Sequence, residues 1–296
     1  MRRRRPARAL APAVAFGLAL AGVTQGGCAR QPIEPSGAAS RAGEEAAAAL
    51  AEGRAAYAQR VDPARLAAAL SDLRRATQAR PGEPAAELEL ARAEAFHALA
   101  AADPVERRAA HDASSRAAER ALRSLAPAFA AAVEAGRPLD EAAALVPPGG
   151  AELLHWLAVG RMGVAQATGH AAVLAVKDHA LALELRAAAL DEAVDEGGPL
   201  RALGAWTAML PVAAGGGATP ARAWFDRAAR RFPAEPWRRV AEAGSLCVLL
   251  QDAGAFDRLL GEVLALDPTS QGARAPEAAQ AQRAARALLD KRAALF

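Results

Sequence analysis

From residue 42 to the end of the chain, apolar residues return every three or four positions, the spacing of one face of a helix. Proline, glycine or short polar runs interrupt the pattern. It predicts helices over 42–59, 63–79, 84–101, 104–135, 151–168, 171–195, 199–210, 219–231, 235–251, 253–266 and 275–292. The boundaries have chemical causes. Asp62-Pro63 combines an N-cap with a proline at the first helical position. Pro81-Gly82-Glu83-Pro84 separates two helices, and Thr219-Pro220 opens another after Gly215-Gly216-Gly217. Asp267-Pro268 closes the penultimate hairpin, and Pro147-Pro148-Gly149-Gly150 is the strongest break in the chain.

Within these helices a small–large–small spacing followed by proline recurs. Ala69, Leu73, Ala76 and Pro81 show it, as do Ala221, Phe225, Ala228 and Pro233. Phe256, Leu260, Val263 and Pro268 show it with larger residues, and Val240, Ala243, Gly244 and Cys247 supply the facing helix. Small residues let helix axes approach and a large one fills the groove between them. This is the packing of the tetratricopeptide hairpin. The expected fold is therefore all-α: antiparallel helical hairpins stacked as a tetratricopeptide-like α-solenoid or bundle over 42–296, with an internal break near 147–150. Alanine-rich helix pairs produce such matches by chance as well, so the closing prolines carry most of the argument.

Composition strengthens the helical reading. Hydrophobic residues make up 53% of the 296, but only 4% are aromatic, and alanine dominates. The formal charge of +3 is set by the N-terminus, where Arg2, Arg3, Arg4, Arg5 and Arg8 lie. Without residues 1–27, 31 basic residues face 33 acidic ones. No basic stripe remains, and nucleic-acid binding loses its electrostatic basis. Residues 1–27 carry a basic start, an apolar run over Leu10–Val23 and small residues Gly26 and Gly27 before Cys28, the parts of a secretion signal. The run is too short and too rich in Ala and Gly to span a membrane comfortably. The junction resembles a bacterial lipobox, which would make Cys28 the lipidated first residue of the mature chain. Gln25 departs from the branched apolar residue usual three positions earlier. The arginine run lacks the apolar residues expected after a twin-arginine pair. Residues 28–41 read as a flexible tether. Ala29 and Arg30 lack the Asp that retains some lipoproteins at the inner membrane, which points to the outer one.

A family resemblance emerges late in the chain. Gly198-Pro199-Leu200-Arg201-Ala202-Leu203-Gly204 with Pro211, the helix from Ala221 to Phe232, Phe256-Asp257-Arg258-Leu259-Leu260-Gly261-Glu262-Val263-Leu264, and the closing segment from Ala284 to Phe296 together resemble the T-component lipoproteins of TRAP transporters. His155-Trp156 stands where that family commonly has Tyr-Trp. The likeness implies a periplasmic, membrane-anchored protein with a tetratricopeptide-like fold. It also implies a homotrimer, association with the transporter's substrate-binding component, and ligand handling through a cleft or pore. The alternative is a generic tetratricopeptide lipoprotein acting as a scaffold in cell-envelope assembly.

Candidate chemistry is sparse. His97, His111, His155, His170 and His179 form no ligand pair, so an ordinary surface or core role suffices for each, and no metal or cofactor is expected. Gly244-Ser245-Leu246 lacks the second glycine of a nucleophile elbow, and Gly215–Gly217 is followed by no Gly-Lys-Ser/Thr. No catalytic constellation is visible, and an enzyme is not expected. Cys247, inside an apolar run, reads as a small buried hydrophobe. Glu83, Glu87, Glu89 and Glu94 read as solvated or ion-paired charges of one helix. Trp156, Trp206, Trp224 and Trp237 stand out among the alanines; core packing is their ordinary use. The functional alternative is an apolar groove lined by Trp156 and Trp206 with Arg161 and Arg201 at its rim, their planar forks suited to a carboxylate. The resemblance suggests organic acids as such ligands.

Overall fold

The computed structural model describes residues 37–296, and among these there is no strand. The signal segment 1–27, Cys28 and most of the expected tether lie outside the described residues. The helices are α1 (Gly37–Tyr57), α2 (Pro63–Ala79), α3 (Pro84–Ala100), α4 (Pro104–Leu125), α5 (Pro127–Glu134), α6 (Leu139–Ala144), α7 (Ala151–Thr168) and α8 (His170–Leu190). They continue with α9 (Gly198–Met209), α10 (Ala218–Arg231), α11 (Pro236–Glu242), α12 (Val248–Leu250), α13 (Ala253–Ala265), α14 (Ala275–Asp290) and α15 (Arg292–Leu295). The fold is all-α, as the sequence predicts.

One start signal is used repeatedly. An acidic residue followed by proline opens α2, α3, α4 and α11, and the carboxylate accepts from backbone N–H groups of the first turn. Asp62 accepts from Ala64 at 2.8 Å and Glu83 from Ala86 at 2.7 Å. Asp103 accepts from Val105 at 3.1 Å, and Glu235 from both Trp237 and Arg238. Each pairs an orphan donor with a negative charge at the positive end of the helix, while the proline gives up only an N–H that had no partner.

The structure departs from the expected boundaries in several places, each with a local cause. The expected helix over 104–135 ends at Leu125 and restarts at Pro127, which has no N–H to continue the ladder. Helix α6 follows Pro138, in a stretch where the periodicity predicts no helix. Helix α1 begins at Gly37, inside the segment read as tether. The expected helix over 171–195 stops at Leu190, and Asp195 and Glu196 take positive φ values of 45° and 52°. Between α11 and α12 the chain widens into a π-helical turn, Ala243–Cys247. Pro148–Gly150 forms a single 3-10 turn, and one core cluster extends from α2 across it to α9.

Successive helices pack in chain order: α1 on α2, α3 on α4, α4 on α7, α7 on α8, α8 on α9 and α9 on α10. Helices α5 and α6 leave this series, with α6 covering α8. Ala117, Ala118 and Ala121 are fully buried in α4, and Gly160 and Gly163 of α7 press against its His111 and Ser115, so alanine and glycine set a close crossing. Leu122, Leu154, Leu157, Leu183 and Phe129 fill the space around them, each contributing about 1.5–3 kcal/mol by burial. A second cluster, centred on Phe256, Leu260, Val263, Ala281 and Ala285, joins α11, α13 and α14. The residues singled out by small–large–small spacing, from Ala69–Leu73–Ala76 to Phe256–Leu260–Val263, are all buried.

The series also turns back on itself. Helix α14 touches α3, and Arg60, in the turn between α1 and α2, forms a two-pronged ion pair with Glu277 of α14, the shorter contact being 2.6 Å. The same guanidinium donates to the Ala273 carbonyl at 2.8 Å. Arg60 and Glu277 form part of the wall of the half-open cavity described next.

Candidate functional site

Between the α1–α2 turn and helices α3, α4, α7, α9, α11 and α14 lies a cavity of about 810 Å³, in the size range of pockets for drug-sized ligands. Its apolar lining combines aliphatic side chains with five aromatic ones. Tyr57 and Phe96 meet edge to face on one side, and Trp156, Trp206 and Trp237 supply three indoles. The Trp156 Nε1–H donates to Glu152 at 3.0 Å, and the Trp237 Nε1–H donates to the Glu277 carbonyl at 3.1 Å, so both indoles are fixed at their polar ends.

The polar wall centres on Asp195. Its carboxylate accepts from Arg201 and from Arg274, each at 2.6 Å, with the side chain only 11% exposed. Burial raises its pKa, but the charges of Arg201, Arg274 and His155 outweigh that, and the carboxyl is held at about 2. Arg201 also approaches Glu235, the α11 cap, at 3.3 Å. Burial pushes the Glu235 carboxyl up, against the attraction of Arg201.

Beside this hub sits a buried dyad. His155 is 1% exposed, and its Nδ1 lies 2.9 Å and 3.0 Å from the two oxygens of the fully buried Glu184. Burial raises the Glu184 pKa, opposed by His155. The Nε2 of His155 has no hydrogen-bond partner among the described residues; Asp195 Oδ2 stands 3.9 Å away. The Gly198 backbone passes so close that a Cβ there would lie 2.7 Å from Nε2, so the opening of α9 requires glycine. On the opposite wall, burial and then Arg107 push His111 down to about 4, leaving it neutral at physiological pH.

The sequence-derived groove can now be placed. Trp156, Arg201 and Trp206 line this cavity. Arg161 does not; it lies on the α4-facing side of α7 and pairs with Glu119 at 3.1 Å. Arg201 is no free rim charge, since Asp195 and Glu235 already hold its guanidinium. Of the two readings for Glu87 and Glu94, solvated or ion-paired, the second holds, and both are buried as well. Glu87 is fully buried against Arg120, at 2.7 and 2.8 Å, and Glu94 is 1% exposed and pairs with Arg74. Sequence reasoning missed Asp195, Arg274 and the Arg60–Glu277 closure, whose partners are far apart in the chain. The turn-forming run Asp195-Glu196-Gly197-Gly198-Pro199 was the one local signal available. Among the described residues no group of His, Cys, Asp and Glu is placed to hold a metal ion, and no helix is long and apolar enough to cross a membrane.

A family model described as TRAP transporter T-component matches residues 85–296. No curated protein matches the chain.

Proposed function

This chain belongs to the TRAP transporter T-component family, and from that premise we propose that it is a cell-envelope accessory protein that docks the transporter's substrate-binding component and holds ligand in its central cavity. It is an accessory component of a transporter rather than a catalyst of its own. In this reading a lipid on Cys28 anchors it in the periplasm, on the outer membrane, and copies associate as a homotrimer.

The observation that carries the reading is the extent of the match. Residues 85–296 supply every wall of the cavity except Tyr57 and Arg60. The part of the chain that is shared with the family is therefore the part that builds the site. The site is shaped for holding rather than transforming: a surface with five aromatic side chains and its arginines paired to carboxylates of the protein suits an apolar body.

Affinity capture of the tagged full chain from detergent-solubilised envelopes, followed by mass spectrometry, tests the association. Recovery of a substrate-binding component and integral subunits of a TRAP transporter is expected. Recovery of outer-membrane assembly factors instead would replace this reading with that of an envelope scaffold.

A further inference from the structure

We propose that the cavity takes an organic cation with an apolar body, an amine or quaternary ammonium, in preference to a carboxylate. The inference rests on the cavity being a ligand site and names the class of ligand.

The charge balance of the wall comes first. Four arginines line it, Arg60, Arg92, Arg201 and Arg274, and each already holds a carboxylate of the protein. An incoming anion would compete with these carboxylates at every guanidinium; the least occupied are Arg201, whose Nη1 makes no hydrogen bond among the described residues, and Arg274, which bonds Asp195 through Nη1 alone. Against these four stand six carboxylates: Glu89, Glu152, Asp191, Asp195, Glu196 and Glu277. Two of them are poorly neutralised. Asp191 caps the Ala193 N–H at 2.8 Å and forms no ion pair among the described residues. Glu196, 48% exposed, comes no closer than 4.0 Å to Arg274. Both sit on the loop between α8 and α9. His111, neutral at physiological pH, adds no compensating charge.

The aromatic surface points the same way. A cation over a ring face is attracted by the ring's quadrupole. The protein uses this on one side of the cavity, where the Arg60 guanidinium stands 4.5 Å from the Tyr57 ring centre and 5.3 Å from that of Phe96. Trp206 and Trp237 have no such partner among the described residues, while the His155 ring lies 4.7 Å from that of Trp156.

The test compares three probes with one apolar body: 4-phenylbutylamine, 4-phenylbutanol and 4-phenylbutyrate. Each is titrated calorimetrically into the full chain at neutral pH and low ionic strength. The amine is expected to bind on the order of tenfold more tightly than the alcohol, and the carboxylate more weakly than the alcohol. Added salt narrows the spread. The double variant Asp191→Asn/Glu196→Gln, which changes exposed residues, loses most of the amine preference with an unchanged thermal melt. A carboxylate that binds more tightly than the alcohol overturns the inference and leaves the cavity a ligand site. Retention of the amine preference by the double variant overturns it too. Failure of all three probes to bind overturns the ligand-site reading along with it, while the association with the transporter is judged separately by capture.

Discussion

Asp195 keeps its carboxylate between two guanidiniums while its own backbone sits at φ 45° and ψ 42°. A non-glycine residue held there carries strain of about 1–3 kcal/mol, which persists only where the surroundings over-determine it. Here they do, because Arg201 and Arg274 lose their counterion if the loop relaxes. The lowered pKa makes this a pH-dependent contribution. The folded protein binds the proton less readily than the unfolded chain, so the stabilisation is complete above about pH 4 and is lost as pH falls toward 2. His111 acts in an earlier window. Its pKa is lowered from the ordinary histidine value, so unfolded chains gain a proton that the fold excludes, and stability falls between about pH 6.5 and 4. The stability advantage of the native protein over His111→Asn should shrink by about 3 kcal/mol from pH 7 to pH 4 in urea titrations. Parallel pH curves for the two would show that His111 is not the excluded site. Glu87→Ala should cost about 1–3 kcal/mol, because it removes both oxygens from Arg120 and the Gly82 N–H, although Arg120 can rehydrate. None of these buried acids was legible in the sequence. Glu87 finds its arginine 33 residues away and Glu184 its histidine 29 residues away, and a charged letter on a helix looks alike in solvent and in a core.

Helices were the most legible level. Periodicity and acid-proline starts placed α2, α3, α7, α9 and α13 nearly where they lie, because those signals act within one turn. Breaks that depend on a single residue inside a periodic stretch were not legible, as at Pro127 and in the π-helical turn after α11. Close crossings were half legible. Alanine announced them, but which glycine is indispensable depends on the partner helix. At Gly160 a Cβ would stand 2.6 Å from the His111 carbonyl oxygen, and backbone cannot step aside. Gly160→Ala should therefore destabilise by about 1–3 kcal/mol despite its better helix propensity. Gly261, exposed in α13 with open space around it, gives the contrast. Gly261→Ala should stabilise by about 0.5–1 kcal/mol. Thermal melts of the two variants shifting in the same direction would refute the assignment of α4 and α7 as a crossing held by glycine.

At the scale of the whole molecule, the ion pair between Arg60 and Glu277 joins positions 217 apart in sequence. Local patterning carries no information about such a contact, which is why the cavity could be anticipated only as a groove with arginines at its rim. Both partners are nearly buried, at 9% and 12% side-chain exposure, so removing one leaves the other without its charge partner. Glu277→Ala should cost about 3 kcal/mol. Amide hydrogen exchange should rise together in the α1–α2 turn and in residues 268–277. An increase confined to one of the two segments would mean that the closure is not cooperative.

Cys247 lies 4% exposed in the C-terminal cluster, with its thiol pushed up to about 11 by burial. Only thiolate reacts with alkylating reagents, so under native conditions this sulfur is protected twice, by cover and by protonation. The rate at which iodoacetamide marks it therefore times how often α11 to α14 part from one another. A bound partner or ligand that grips those helices would be registered by that clock without any label being introduced.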